Sequence, residues 1–154
     1  MKVEYLNALV QTATSTFQTM LSLEAKVGQL SLKKEGIETK ADITAVLGMS
    51  GKVRGSIVLA FESKVASQYV KRFLGMDDDL SMDEICDGVG ELCNIIGGSA
   101  KVELNKFGLD LSISIPNVVI GQGMKIASST SYPSLCIPFD SELGSFTLEV
   151  CLTK

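Results

Sequence analysis

The stretch SMDEICDGVGELCNIIGGSAKVELNK, residues 81–106, predicts the long helix around which the chain folds. At about 100° of rotation per residue, one narrow face collects the apolar residues Ile85, Val89, Leu92 and Ile96. Ser81 is the expected N-cap, with Glu84 three residues later completing a capping box. We therefore expect a helix from about Met82 to Lys106, ended by Asn105 or Gly108, with its apolar face turned to a core.

A polar stripe lies about 150° from the apolar face of this helix. Its members recur at spacings of three and four and are Glu84, Asp87, Glu91, Asn94 and Gly98. Because residues three or four apart are neighbours on a helix surface, the Glu91 carboxylate and the Asn94 amide can act together on one partner. Periodicity alone does not distinguish such a site from polar residues that simply keep the protein soluble.

Residue choice along the polar stripe favours a site over plain solubility. Asparagine is a poor helix former in an interior position, and each helical glycine costs about 1 kcal/mol relative to alanine. Four glycines lie beside the stripe: Gly88, Gly90, Gly97 and Gly98. They indicate close approach, either by another element of this domain or by the surface of a partner.

Two further helices are predicted outside this stretch. Residues 2–23 place apolar side chains three and four apart, which is typical of an amphipathic helix. A shorter helix is expected from Ser63, as its cap, to about Leu74, with Gly75 ending it. The acidic run at 77–79 that follows is expected to be a solvated loop.

The remaining segments predict β-structure. Two β-branched, apolar strands at 41–48 and 52–61 are expected to be joined by a turn at Gly48–Gly51. A short strand is expected within the polar stretch 28–40. Further strands are expected at 109–115, 118–120, 124–129, 134–139 and 145–152. The predicted fold class is α+β: a single domain over residues 1–154, with a mostly antiparallel sheet packed with two long helices plus a shorter one.

Composition narrows the possible functions. A net charge of −4 without a clustered basic surface argues against nucleic-acid binding. No apolar run approaches the roughly 20 residues of a membrane-spanning helix, and no signal peptide is evident, so no membrane association and a cytoplasmic location are expected. The chain has no histidine, which removes the commonest general base and metal ligand. Its four cysteines, at 86, 93, 136 and 151, form no C-x-x-C pair and are predicted to pack as small apolar residues rather than to form disulfides or bind metal.

The segment DGVGELCN, residues 87–94, resembles the (D/S)-x3-E-x2-N signature of the CheC/CheX/FliY phosphatases. The longer stretch GELCNIIGGSAKVEL is similar to the same helix in CheX proteins. The first helix with its Leu6-Asn7-Ala8 segment, the LGMSGKVRGSIVLAF hairpin and Pro116, 22 residues after Asn94, agree with the family. The similarity extends over nearly the whole chain.

The resemblance implies a CheX-like phosphatase that acts on the aspartyl phosphate of CheY, the response regulator of bacterial chemotaxis. By this similarity, Asn94 orients the attacking water, Glu91 pairs with the regulator's active-site lysine, and Asp87 supports them. No cofactor is expected on this chain, whereas Mg²⁺ is expected on the receiver domain. Homodimers joined through the sheets are also implied. The alternatives are a non-catalytic adaptor that binds a receiver or a flagellar motor component, and a phosphatase for a receiver outside chemotaxis.

A second E-x2-N spacing occurs at Glu4 and Asn7 in the first helix. CheC proteins carry two such sites, whereas CheX proteins, which this chain resembles more, keep only the later one. The position four residues before Glu4 does not exist, and the residues after Asn7 lack the glycines found after Asn94. We therefore predict that Glu4 and Asn7 form a vestigial or structural pair. An equal alternative is that Asn7 caps or hydrogen-bonds a neighbouring element.

Overall fold

The computed structural model describes residues 1–33, 40–124 and 133–153. It contains two long helices, a shorter one and eight strands, all antiparallel to their partners, which confirms the predicted α+β fold class. The helices are α1 (Val3–Leu21), α2 (Ser63–Leu74) and α3 (Met82–Asn105). The strands are β1 (Lys26–Val27), β2 (Ser31–Leu32), β3 (Ile43–Ser50), β4 (Arg54–Phe61), β5 (Ser112–Ile113), β6 (Asn117–Ile120), β7 (Leu135–Ser141) and β8 (Gly144–Thr153).

The strands form one sheet in the order β1-β7-β8-β4-β3-β5. Strands β1 and β2 pair with different parts of β7, and β5 and β6 pair with different parts of β3. Both β5 and β6 therefore lie against β3, one at each end of that strand. This arrangement makes the connection between β5 and β6 part of the sheet edge beside α3.

All three helices pack on the same face of the sheet. In α1, Phe17 contacts Phe146 of β8, with ring centroids 4.7 Å apart, and Tyr69 of α2 contacts the same ring at 5.3 Å. Helix α3 approaches that face closely at Gly97, where an added Cβ would lie 2.7 Å from Leu47 of β3. In the described part of the chain, no helix is long and apolar enough to cross a membrane.

The N-terminal cap of α3 is the one that the sequence predicts, whereas the C-cap is Lys106 rather than Asn105 or Gly108. The Ser81 hydroxyl accepts a hydrogen bond from the Glu84 amide at 3.2 Å, and the Glu84 carboxylate accepts one from the Ser81 amide at 2.7 Å. The helix ends at Asn105, and Gly108 follows with a φ of 75°. The predicted boundaries are therefore correct to within one residue.

The predicted N-cap of α2 is wrong. Ser63 is the first residue of the helix, and Glu62 holds the cap position without a side-chain hydrogen bond. The Ser63 amide instead donates to the carboxylate of Asp42, just before β3. A carboxylate 21 residues away thus serves the helix terminus, where backbone amides lack partners within the helix. The other end agrees with the prediction, because Gly75 ends the helix in the left-handed conformation.

The predicted hairpin turn lies too early in the chain. Gly48 and Ser50 continue β3, pairing with Ser56 and Arg54 of β4, and the connection falls at residues 51–53. Gly51 marks this turn because a Cβ there would meet the backbone carbonyl oxygen of Leu109 at 2.9 Å. Gly48 lies within β3 instead, where its amide donates a hydrogen bond to the Ser114 hydroxyl.

The expected strand at 109–115 is much shorter than predicted. Only β5 is a strand there, because Asp110 has a φ of 50° and the Asn105 side chain holds the backbone of Leu111. The short strand expected within 28–40 and the strands expected at 118–120, 134–139 and 145–152 are present. The strand expected at 124–129 lies almost wholly outside the described residues.

Candidate functional site

Helix α3 buries its apolar face and exposes its polar stripe, as its periodicity predicts. The residues buried against the core include Ile85, Val89, Leu92 and Ile96. The side chains exposed on the opposite side are Glu84, Asp87, Glu91 and Asn94, while Gly98 is half-buried. The predicted catalytic pair therefore stands on a long, capped helix at the surface.

A shallow depression of about 290 Å³ runs beside this stripe. Its lining residues are Cys86, Asp87, Gly90, Glu91, Asn94, Ile115, Pro116 and Val118. The first five lie on α3, and the last three lie in β6 and the connection that precedes it. The structure thus brings together Asp87, Glu91 and Asn94, the three residues that the signature contributes, along one wall.

The side chains of the predicted catalytic pair, Glu91 and Asn94, have no partner within the described part of the chain. Neither the Glu91 nor the Asn94 side chain takes part in a hydrogen bond or an ion pair there. The carboxylate can accept several hydrogen bonds, and the amide can both donate and accept. Since only water competes for these groups, a docking surface can engage both of them without breaking an internal contact.

The charge beside the depression is negative. Burial raises the pKa of the Cys86 thiol, and the nearby carboxylates of Asp83 and Asp87 raise that pKa further. The same field that disfavours a thiolate at Cys86 favours a cation brought there by a partner. Among the described residues, no group of three or more acidic or cysteine side chains is arranged to hold a metal ion.

Three of the four glycines beside the stripe are explained by packing within the domain. A Cβ on Gly88 would lie 2.7 Å from a methyl of Val70 in α2, and one on Gly97 would lie 2.7 Å from Leu47 in β3. Gly90 faces Val118 of β6 at 3.2 Å. Gly98 alone of these four has no atom within 4 Å of the Cβ position, so internal packing does not account for it.

The second E-x2-N pair is placed differently. Glu4 and Asn7 are exposed on α1, and the apolar groove beside the start of that helix is lined by other residues, including Met1, Val3 and Leu6. Asn7 neither caps a helix nor hydrogen-bonds a neighbouring element within the described residues. The prediction that the pair is vestigial stays a prediction.

Cysteines follow the sequence interpretation in part. Cys93 and Cys151 are buried, whereas Cys86 and Cys136 are partly exposed. Neither Cys86 nor Ile115 was a candidate from sequence, because neither belongs to the signature. The pairing of β5 and β6 with β3 places residues 115–118 opposite α3.

Residues 43–140 match the family described as chemotaxis phosphatase CheX. A protein from Thermotoga maritima named CheY-P phosphatase CheX is 30% identical over 129 residues, which cover 83% of each chain.

Solved structures show the same fold. The chemotaxis protein CheX from Desulfovibrio desulfuricans is similar with a TM-score of 0.87 and 33% identity, over 98% of this chain and all of that one. A CheX from Borrelia burgdorferi, solved in complex with CheY, BeF₃ and Mg²⁺, has a TM-score of 0.81 and 23% identity over 99% of this chain and all of that one.

Proposed function

Because the chain belongs to the CheX family of chemotaxis phosphatases, we propose that it accelerates hydrolysis of the aspartyl phosphate on a CheY receiver domain, with Asn94 and Glu91 as the catalytic pair. One observation carries the choice of residues. Both side chains are exposed in one depression, three residues apart on α3, and have no internal partner among the described residues. Asp87, one turn before Glu91, supports them from the same wall.

Asn94 orients the water that attacks the phosphorus. Hydrolysis of an acyl phosphate needs mainly positioning and charge stabilisation, because the phosphoryl group already has a good leaving group. An amide is suited to the task since its oxygen accepts a hydrogen bond from the water while its nitrogen donates to a phosphoryl oxygen. Fixing one water in line converts a random encounter into an oriented one, which is a large part of the rate gain available here.

Glu91 fixes the docked geometry by pairing with a lysine of the receiver's active site. Its carboxylate forms no ion pair in the described residues, and nearby carboxylates make the field at the depression negative. A lysine ammonium brought to this position gains a charge-assisted hydrogen bond. The receiver would also hold the Mg²⁺ that stabilises charge on the phosphoryl oxygens, so this chain's task is to place an amide and a carboxylate.

A homodimer joined through the sheets belongs to the same proposal. Among the described residues, the sheet ends in short strands, β1 and β2 on one side and β5 and β6 on the other. Edge strands of this kind offer backbone groups with which a second copy can pair. Sedimentation of the purified chain measures whether the dimer forms.

The proposal is tested by phosphate release from phosphorylated CheY with the wild type, Asn94→Ala and Glu91→Ala. We expect Asn94→Ala to lose roughly 100-fold or more of the acceleration, a loss typical of removing a preorganised polar group. Its free energy of unfolding should be unchanged or slightly higher, because the side chain has no internal contact to lose.

The chain offers a matched control in Asn7→Ala, which removes an exposed asparagine of the same E-x2-N spacing from another helix. Full activity is expected there and in the double variant with Glu4→Ala. Full activity in Asn94→Ala would refute the assignment. A wild type that binds phosphorylated CheY without accelerating phosphate release would instead establish the non-catalytic adaptor.

A further inference from the structure

Ile115 lies beside the catalytic pair with 86% of its surface exposed, more than any other exposed large apolar residue described. Single exposed apolar residues are common on protein surfaces and need no explanation by themselves. The location of Ile115, however, requires an explanation. With Pro116 and Val118, it forms the apolar wall of the depression whose other wall carries Glu91 and Asn94.

The backbone holds Ile115 in place. The Ser114 amide donates to the Gly48 carbonyl at 2.9 Å, and the Ser114 hydroxyl accepts from the Gly48 amide at 2.9 Å. That hydroxyl also donates to the Ile115 carbonyl at 3.2 Å. On the other side of Ile115, the ring of Pro116 fixes the φ angle of that proline. A side chain on such a fixed connection loses little backbone freedom when a partner covers it, which favours binding.

We propose that Ile115 is the apolar anchor by which the receiver domain docks on this chain. The inference rests on the proposed function, because a receiver whose phosphoaspartate reaches Asn94 must also cover the opposite wall of the same depression. Apolar anchors ringed by polar groups are the usual anatomy of a specific interface. The acidic stripe supplies the polar side here, and Ile115 supplies the apolar contact that no other exposed residue of the depression provides.

The anchor is predicted to determine binding and to leave the chemistry unchanged. Ile115→Ser should raise KM for phosphorylated CheY roughly tenfold, as expected when most of one aliphatic side chain is no longer buried. Its kcat should stay within about twofold, because the side chain does not touch the reacting atoms. Ile115→Leu, which keeps the apolar volume, should restore most of the affinity.

Ile120→Ser is the matched control. Ile120 lies at the far end of β6, is 55% exposed and does not line the depression. Its KM should stay at the wild-type value. An unchanged KM in Ile115→Ser, a fall in kcat alone, or an equal rise in KM for both serine variants would each overturn the anchor.

A binding measurement separates this proposal from the previous one. Kd is measured for CheY loaded with Mg²⁺ and beryllofluoride, which stands in for the phosphoryl group without turnover. We expect the tenfold weakening by Ile115→Ser to appear there as well. If the wild type binds loaded CheY but does not hydrolyse the phosphate, the proposed function fails and Kd still decides the anchor. If the wild type does not bind at all, both proposals fail.

Discussion

Two glycines ten residues apart on α3 should respond oppositely to the same substitution. Gly98→Ala adds a methyl group where no atom lies within 4 Å, whereas Gly88→Ala adds one at 2.7 Å from Val70 Cγ2. Both positions are helical with negative φ. The gain in helix propensity is therefore common to the two variants, and their difference measures the packing contact alone.

The magnitudes follow from these contacts. Gly98→Ala should stabilise the protein by about 1 kcal/mol, which raises Tm by roughly 2–4 °C for a chain of this length. Gly88→Ala has the same gain but must displace Val70, a fully buried β-branched residue of α2. Overpacking of this kind costs about 1–3 kcal/mol. The two variants should therefore differ by about 1–3 kcal/mol, with Gly88→Ala the less stable.

Urea denaturation of the wild type and both variants, with thermal unfolding as a second measurement, gives the free energies. Equal stabilisation of the two variants would refute the reasoning, because it would mean that α2 and α3 are not in close contact at Gly88. Destabilisation by Gly98→Ala would equally contradict it. Phosphate release by Gly98→Ala adds a second readout: a rise in KM in this more stable variant would show that the receiver approaches the helix backbone there.

Two further predictions concern the core. Burial raises the pKa of the Cys93 thiol to about 12 from an ordinary value of 9.0. Above pH 9 the unfolded chain therefore releases a proton that the folded chain keeps, and the free energy of unfolding falls by about 1.4 kcal/mol per pH unit up to about pH 12. Urea denaturation at pH 8 and pH 10 should show that Cys93→Ala lacks this contribution, and an identical decline in both proteins would contradict it. Tyr69→Phe should lower the free energy of unfolding by about 1–2 kcal/mol without altering phosphate release. The reason is that the Tyr69 hydroxyl donates to the Gly144 carbonyl at 2.9 Å and lies 2.6 Å from the Ser141 hydroxyl. An unchanged free energy of unfolding would show that these bonds contribute nothing.

The sequence determined the features that depend on residues close together in the chain. Helix α3, its capping box and its two faces follow from a period of 3.6 residues and from chemistry within one turn. The row of Asp87, Glu91 and Asn94 is fixed in the same way, since i, i+4 and i+7 share a face in any α-helix. The resemblance to the phosphatase signature then depended on these same few residues.

Tertiary structure decided whatever depends on residues distant in the chain. The Asp42 carboxylate caps α2 from 21 residues away, and Gly51 rather than Gly48 marks the hairpin turn because the backbone at 109–110 approaches it. The opposite wall of the site is of this kind too. Ile115 faces Glu91 and Asn94 because β5 and β6 pair with β3, and pairing between distant strands is set by the packing of the whole sheet, which no local pattern contains.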